Sequence, residues 1–165
     1  GNPIMWKTGH SLIKQKMTEV GCKFGGEMSG HIFFADDYYG YDDAIYVAAR
    51  LLELLSKTNK SLSELRSIIP VYHSTPEMRM EAKDDEEKFK ITKKAIEYFT
   101  KNYDCITVDG VRILFGDGWG LVRPSNTQPV IVCRFEANSI DRRDEIMNLV
   151  LHKLKEFGNL KLGGH

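Results

Sequence analysis

The order of strand-like and helix-like segments in the second half of the chain constrains its fold more than any other feature. Four runs rich in β-branched and aromatic residues follow one another, and they read CITV, VRILF, WGLV and VIVCRFEA. Asp109 and Gly110 join the first two runs and predict a hairpin with a type I′ turn. Amphipathic helices are predicted on either side, over residues 84–101 and after Ser139. With a further strand at EMRMEA, the order β-α-β4-α predicts an α+β domain.

The first half of the chain alternates helices and short strands, which predicts a mixed α/β fold. The predicted elements are a helix capped by Ser11 and ended by Gly21, strands at 22–24 and 31–35, a helix capped by Asp42 or Asp43, and a short helix that begins at the capping-box pair Ser61 and Glu64. Two prolines in PVYHSTPEM predict a boundary between residues 1–70 and residues 74–165. The tail from Gly158 is expected to fray.

Composition argues against several classes of function. The 165 residues carry 23 basic and 23 acidic side chains, so there is no excess of positive charge to attract a nucleic acid. No apolar run approaches the roughly 20 residues that cross a bilayer, and no secretory leader is visible. The cysteines Cys22, Cys105 and Cys133 show no metal or pairing pattern, which predicts reduced, buried thiols in a cytoplasmic protein.

The segment GGEMSGH, residues 25–31, gathers polar groups between glycines. If it is extended, alternation places Glu27, Ser29 and His31 on one face, where they could bind a small polyhydroxyl ligand. The glycines suit a turn between two elements equally well, and the residues alone leave both interpretations open. His10 in WKTGHS lies just before a predicted helix, where it either contacts a ligand or helps to cap the helix.

The segment GWGLVRPSNTQP, residues 118–129, is the second polar loop. Arg123 offers a planar fork of donors that matches the geometry of a phosphate. The side chains of Ser125, Asn126 and Thr127 add further donors beside it. The alternative is a polar turn between two strands, in which serine and asparagine bond to their own backbone. The clustering of the four residues makes the two interpretations about equal.

No metal site is predicted in this chain. The pairs Asp36–Asp37 and Asp42–Asp43 are explained better as helix caps and surface turns than as ligands, and no carboxylate cluster is spaced like a magnesium loop. The chain also shows no nucleophile motif and no glycine loop of the nucleotide-binding type. The residues alone therefore predict a two-part α/β protein with two polar loops, one of them suited to an anion.

Three motifs together resemble one enzyme family. WKTGHS, GGEMSGH with the FF that follows it, and GWGLVRPSNTQPVIVCRFEA are similar in order and spacing to the C-terminal part of the α-D-phosphohexomutases, in the phosphomannomutase/phosphoglucomutase group. The resemblance implies that residues 1–70 are the later part of a mixed α/β third domain, which carries a sugar-binding loop. Residues 74–165 would form a fourth domain with a TATA-binding-protein-like β-α-β4-α topology, a likeness of fold that implies no nucleic-acid binding.

The resemblance also implies an activity for the full-length enzyme. Family members interconvert hexose 1-phosphates and hexose 6-phosphates through a phosphoserine and a hexose 1,6-bisphosphate intermediate. The phosphoserine and the aspartates that hold Mg²⁺ belong to earlier domains and do not occur in this chain. The residues that resemble sugar-binding groups are His10, Glu27, Ser29 and His31, the last also being a candidate for proton transfer. The residues that resemble the clamp on the phosphate that is not transferred are Arg123, Ser125, Asn126 and Thr127.

The chain begins at Gly1 within what looks like a folded region, which predicts either a fragment of a longer chain or a complete domain behind the remnant of a tag. The resemblance implies the first alternative, a C-terminal fragment of an isomerase. We expect the fragment to be inactive alone, to depend on N-terminal domains of the same enzyme, and to be prone to self-association. Met28 favours the mannose/glucose group over the glucosamine group. The alternative hypothesis is a non-catalytic regulatory module that binds phosphosugars through the same loops.

Overall fold

The computed structural model describes residues 1–163, and the chain divides into two compact units, Gly1–Pro70 and Val71–His165. The elements of the first unit are α1 (His10–Val20), β1 (Phe24–Gly26), β2 (Ile32–Phe34), α2 (Ala44–Ser56) and α3 (Leu62–Ser67). β1 and β2 pair as an antiparallel hairpin with Phe24 opposite Phe34. The mixed α/β architecture predicted for this half is confirmed.

The start of α1 and the position of β1 differ from the prediction. Gly9 is the N-cap of α1, and Ser11 lies inside the first turn. The Gly9 N–H donates to Glu27 Oε1 at 2.6 Å. This contact between residues far apart in sequence fixes the backbone at Gly9, so the helix begins one residue before Ser11. β1 occupies Phe24–Gly26 instead of 22–24, because pairing with β2 selects which residues form the strand.

The next two helices begin at caps that the sequence predicts. Asp43 accepts a hydrogen bond from the Ile45 N–H at 2.9 Å, so Asp43 and not Asp42 caps α2. The capping box of α3 forms in both directions between Ser61 and Glu64. Because Asp43 caps α2, the neighbouring Asp42 is not needed as a cap, and its role depends on another contact.

The second unit has the predicted β-α-β4-α order and two further short strands. Its elements are β3 (His73–Ser74), β4 (Met78–Glu81), α4 (Asp85–Asn102), β5 (Asp104–Ile106), β6 (Val111–Leu114), β7 (Gly118–Pro124), β8 (Val130–Ala137), α5 (Ile140–Phe157) and β9 (Lys161–Leu162). The sheet order is β5-β6-β7-β8-β4-β9, and β3 also pairs with β8. All of these pairs are antiparallel.

Residues 161–163 of the C-terminal tail join this sheet, so the predicted fraying from Gly158 is wrong for the described part of the tail, while residues 164 and 165 lie outside the described residues. Leu162 of β9 lies opposite Met80 of β4, and the Gly163 N–H donates to the Arg79 carbonyl at 2.8 Å. The strand is only two residues long, and its partner is distant in sequence. Local sequence patterns carry no signal for such a pairing.

α4 and α5 pack on the sheet, and this packing holds the strands on which the second polar loop depends. Alternate residues of β8 are fully buried, among them Ile131, Cys133 and Phe135. The helix residues of the same core are Ile91, Ala95, Phe99, Ile146, Val150 and Leu154. β7 pairs with β8 along the whole length of β7, from Gly118 opposite Ala137 to Pro124 opposite Ile131. The turn that joins them is therefore anchored at the end of a long, buried ladder.

The loop between β5 and β6 is wider than the predicted type I′ turn. The last pair before the loop joins Ile106 to Arg112. Gly110 has a φ of +73°, but no non-glycine residue among residues 1–163 has a positive φ, so Asp109 lacks the conformation that a type I′ turn requires. A Cβ atom on Gly110 would lie 2.2 Å from the Val122 carbonyl oxygen. The loop folds closely over β7, and this tertiary contact overrides the local turn preference.

Candidate functional site

The GGEMSGH segment is a hairpin turn between β1 and β2. The Glu27 N–H donates to the His31 carbonyl at 2.8 Å, and the Gly30 N–H donates to the Glu27 carbonyl at 3.0 Å. Gly30 has a φ of +93°, which residues with side chains rarely adopt. The extended alternative is therefore wrong and the turn alternative is confirmed, because antiparallel pairing of β1 with β2 makes the chain reverse here.

Glu27 joins this turn to the segment before α1. Its Oε1 accepts from the Gly9 N–H at 2.6 Å, and its Oε2 lies 3.4 Å from the Ser29 hydroxyl. The first bond also brings His10, the neighbour of Gly9, to the same region. Glu27 is half-buried, whereas His10 and Ser29 are exposed. The result is a surface of carboxylate, hydroxyl and imidazole groups that can donate and accept hydrogen bonds.

His31 pairs with Asp42, which the sequence predicts only as a cap. Its Nδ1 is hydrogen-bonded to Asp42 Oδ2, and Asp42 Oδ1 accepts from the Ile32 N–H at 3.3 Å. The hydrogen bond and the charge of Asp42 raise the pKa of His31 above its ordinary value, and the charge of Glu27 adds a smaller part. The sequence does hold a clue to this pair, because two adjacent aspartates precede a helix that needs only one cap.

His10 lies within electrostatic range of the same pair. The pKa of Asp42 is lowered chiefly by its hydrogen bond with His31, and the charge of His10 adds a small part. One exposed region of the first unit thus gathers all the residues predicted to bind a sugar. We call it the Glu27 cluster, and its members are His10, Glu27, Ser29, His31 and Asp42.

The second polar loop is the turn between β7 and β8. The Ser125 N–H donates to the Val130 carbonyl at 2.9 Å, and the Ser125 hydroxyl accepts from the Thr127 N–H at 3.3 Å. Ser125 is only 8% exposed, so this hydrogen bond of its hydroxyl stabilises the turn at a buried position. Asn126 and Thr127 are exposed. The backbone-bonding alternative is therefore confirmed for Ser125, while the next two residues present polar groups to solvent.

Arg123 lies in β7 just before the turn. Its side chain is 15% exposed, and its Nη1 lies 3.9 Å from Asp109 Oδ2 in the β5–β6 loop. Arginine, backbone N–H groups and small polar side chains are the donors that bind phosphate in proteins. We call the residues Arg123, Ser125, Asn126 and Thr127 the phosphate turn.

The sequence patterns do not identify Lys88, whose buried ammonium lies behind the phosphate turn. Its Nζ donates to the Ser125 carbonyl at 2.8 Å, to the Gln128 carbonyl at 3.0 Å and to Asp85 Oδ1 at 2.7 Å. The Lys88 side chain is 2% exposed. The sequence holds one indication that Lys88 is buried: it lies on the apolar stripe of α4, one turn before the buried Thr92.

Within residues 1–163 no group of three or more His, Cys, Asp or Glu side chains could hold a metal ion, and no helix has the length and apolar character to cross a membrane. Asp36, one of the paired aspartates, binds Arg50 at 3.0 Å. A cleft of about 500 Å³ beside α1 is lined by Met17, Cys22 and other residues, none of them in the Glu27 cluster.

The cysteines differ in exposure, which corrects part of the prediction. Cys133 is buried and Cys105 is half-buried, but Cys22 is exposed. Burial raises the pKa of the Cys133 thiol to about 12. The prediction of buried thiols is therefore wrong for Cys22, which lies in the short connection between α1 and β1.

Two family models match consecutive parts of this chain. The model described as phosphoglucomutase/phosphomannomutase, alpha/beta/alpha domain III, matches residues 1–72. The model described as phosphoglucomutase/phosphomannomutase, C-terminal domain, matches residues 77–153.

Individual relatives are similar over most of the chain. A phosphomannomutase/phosphoglucomutase from Pseudomonas putida is 51% identical over 144 residues, which cover 84% of this chain and 30% of the relative. The protein of the same name from Pseudomonas aeruginosa is 46% identical over 160 residues, which cover 94% of this chain and 34% of the relative. A crystal structure of a phosphoglucomutase/phosphomannomutase family protein from Burkholderia thailandensis has a TM-score of 0.82 and 41% identity, and the match covers 97% of this chain and 34% of that one. This chain spans about a third of the length of these relatives.

Proposed function

Because this chain belongs to the phosphoglucomutase/phosphomannomutase family, we propose that it is the C-terminal part of an enzyme that interconverts the 1-phosphates and 6-phosphates of mannose and glucose. Relatives with 46% to 51% identity carry the name of this activity. The observation that carries the proposal is the phosphate turn, which gathers an arginine, an amide and a hydroxyl at one end of a buried strand pair. The N-terminal domains of the enzyme are the partners of this part.

In this proposal the Glu27 cluster binds the hydroxyl groups of the hexose. The Glu27 carboxylate accepts hydrogen bonds, and the Ser29 hydroxyl can either donate or accept them. A mutase needs such tolerance because it presents either end of one sugar to the same phosphoserine. Contacts that fit hydroxyl groups in both orientations meet that need.

His31 is proposed to move a proton at the hydroxyl that gains or loses the phosphoryl group. Asp42 engages Nδ1, so Nε2 is the ring nitrogen that can meet a substrate hydroxyl. The pair with Asp42 raises the pKa of His31 and so favours the protonated ring near neutral pH. A protonated His31 would donate to an oxygen that leaves the phosphoryl group, and Asp42 acts as the positioning residue.

The phosphate turn is proposed to hold the phosphate that is not transferred. Fixing one phosphate sets the distance and angle of the reacting end, and positioning of this kind accelerates phosphoryl transfer. The phosphoserine belongs to the preceding domains of the enzyme, and hexose 1,6-bisphosphate is the intermediate. Mg²⁺, bound in those domains, would stabilise the charge of the phosphoryl group in transfer. In this proposal the residues of this chain bind the phosphosugar, orient it and move a proton.

Substitution of Arg123 in the full-length enzyme tests this proposal. We expect Arg123→Ala to raise the KM for mannose 1-phosphate about tenfold or more, with a smaller change in kcat, because the arginine contact is made before and during transfer. Arg143→Ala is the matched control, since Arg143 pairs with Asp144 on α5 at 2.7 Å. An unchanged KM in Arg123→Ala would show that the phosphate turn does not bind the substrate.

The 165-residue chain provides a second test. We expect it to bind phosphosugars without interconverting them, because the phosphoserine that transfers the phosphoryl group lies outside it. Turnover by this chain alone would refute its dependence on the N-terminal domains. A full-length protein that binds phosphosugars but catalyses nothing with Mg²⁺ present would favour the regulatory module instead.

A further inference from the structure

Lys88 occupies a position that is unfavourable for a lysine in two respects. Its side chain is 2% exposed, although ammonium groups are rarely removed from water. It also lies near the N-terminal end of α4, directly after the acidic residues Asp85, Glu86 and Glu87, where the helix dipole disfavours positive charge. A lysine in such a position requires specific contacts that compensate for both costs.

The phosphate turn supplies most of that compensation. An ammonium group has three N–H donors, and those of Lys88 meet the carbonyls of Ser125 and Gln128, at 2.8 Å and 3.0 Å, and the Asp85 carboxylate. The two carbonyls are 37 and 40 positions away in sequence, so the contacts form only when the second unit is folded. Lys88 therefore holds both ends of the segment from Ser125 to Gln128.

The contact with Ser125 determines which way one peptide group faces. No cis peptide bond occurs among residues 1–163, so the Ser125 carbonyl and the Asn126 N–H point in opposite directions. Because the carbonyl points at the buried ammonium, the Asn126 N–H points away from it, and Asn126 itself is exposed. Backbone N–H groups in turns are donors that anions use, and the contact with Lys88 leaves this one directed away from the ammonium.

We propose that Lys88 is a positioning residue for anion binding by the phosphate turn, where it orients and polarises the Ser125 and Gln128 peptide groups. The Asp85 carboxylate, at 2.7 Å, balances the charge of the ammonium, so Lys88 acts on a phosphate through the two peptide groups that it polarises. This inference rests on the proposed function, because it takes the phosphate turn as the group that binds the phosphate of a phosphosugar. A lysine that only stabilised the fold would leave phosphate affinity unchanged in any folded variant.

Titration of the 165-residue chain with glucose 1-phosphate, followed through the amide NMR signals of Asn126 and Thr127, tests this role. Lys88→Met keeps an unbranched buried side chain and removes the charge, and we expect it to weaken binding about tenfold. Lys90→Met removes the same charge from an exposed position of α4 and should leave the affinity unchanged. Arg123→Ala tests the proposed function itself and should weaken binding independently.

The outcomes of this titration distinguish the positioning role of Lys88 from the proposed function of the phosphate turn. Wild-type affinity in a folded Lys88→Met variant, with weakened binding in Arg123→Ala, would overturn the role of Lys88 and leave the proposed function standing. No binding by the wild-type chain, or unchanged affinity in Arg123→Ala, would overturn both. Weakened binding in Lys88→Met but not in Lys90→Met supports the positioning role.

A second measurement needs no substitution, so it decides the matter even if Lys88→Met fails to fold. The buried ammonium of Lys88 should give an observable ¹⁵N signal, because its hydrogen bonds slow exchange with water. We expect that signal to shift during the glucose 1-phosphate titration with the same dissociation constant as the Asn126 amide, since one peptide group links the two. An ammonium signal that stays fixed while the Asn126 amide saturates would contradict the proposal.

Discussion

At the residue scale, neighbouring side chains of the same type have different roles. Asp42 pairs with His31, whereas Asp43 caps α2. Lys88 is buried behind the phosphate turn, whereas Lys90 on the same helix is exposed. Backbone geometry turns nearby side chains toward different surroundings, so composition alone cannot separate such residues.

The pair of His31 and Asp42 predicts an altered titration. We expect NMR titration to give His31 a pKa above 6.5, and Asp42→Asn to move it back toward that value, because the hydrogen bond and charge of Asp42 are the main causes of the shift. Asp37→Asn neutralises another carboxylate of the same segment and is the matched control. An unaltered pKa of His31 in Asp42→Asn would show that the pair does not form in solution.

The raised pKa of His31 also gives stability a dependence on pH. Since the pKa in the folded state exceeds the unfolded value of 6.5, the pair stabilises the first unit fully below pH 6.5. This contribution is lost as the pH rises through the raised pKa. Thermal unfolding at a series of pH values should show this loss in the wild type and a weaker one in Asp42→Asn. Stability that increases through this range because of His31 would contradict the pairing.

Thiol reactivity should follow the exposure of the cysteines. We expect Ellman's reagent to modify Cys22 first, Cys105 more slowly, and Cys133 only after unfolding. Cys133 is protected both by burial and by its pKa of about 12, which leaves almost no thiolate at neutral pH. In a variant with Cys22→Ser and Cys105→Ser, rapid reaction of the native protein would contradict the buried position of Cys133.

At the element scale, the correct predictions concern elements whose signals are local. The apolar stripes of α4 and α5, the β-prone run of β8 and the caps of α2 and α3 each depend on residues near one another in sequence. The errors concern elements that depend on distant partners. β9 forms because it pairs with β4. Gly9, and not Ser11, is the N-cap of α1 because Glu27 accepts a hydrogen bond from the Gly9 N–H.

The candidate site shows the same division. Its polar residues stand out in the sequence because GGEMSGH and RPSNTQP concentrate them between strands. The residues behind them, Asp42 and Lys88, do not stand out, because each acts through a contact that only the folded unit creates. Residues that support a site are therefore harder to predict from sequence than residues that line it.

The loop between β5 and β6 provides a test of tertiary control over a turn. We expect Gly110→Ala to lower the free energy of unfolding of the second unit by about 2 kcal/mol or more, because alanine resists a positive φ and its Cβ would meet β7. Gly116→Ala is the matched control: its φ is +80°, but no atom lies within 4 Å of the new Cβ, so backbone strain alone should cost about 1 kcal/mol. Urea denaturation measures both, and equal losses would contradict the close approach to Val122.

At the scale of the whole molecule, the two units differ in how much apolar surface they cover. The second unit buries a core made by sheet residues and both long helices. In the first unit α2 is rich in apolar residues, yet none of them is buried. Ile45 is 85% exposed and Leu52 is 67% exposed, and the two lie two turns apart on one side of the helix. An exposed apolar stripe of this kind favours association with another surface.

We therefore expect the 165-residue chain to self-associate as its concentration rises, with α2 as the contact. Ile45→Lys combined with Leu52→Lys should shift the population to monomer, because two charges on the stripe would have to be desolvated in the contact. Sedimentation velocity over a range of concentrations measures the change, and circular dichroism checks that α2 stays helical. Leu149→Lys, at a leucine of α5 that is 40% exposed, is the control and should leave association unchanged. If the wild type sediments as a monomer throughout, or if the double substitution has no effect, α2 is not an association surface.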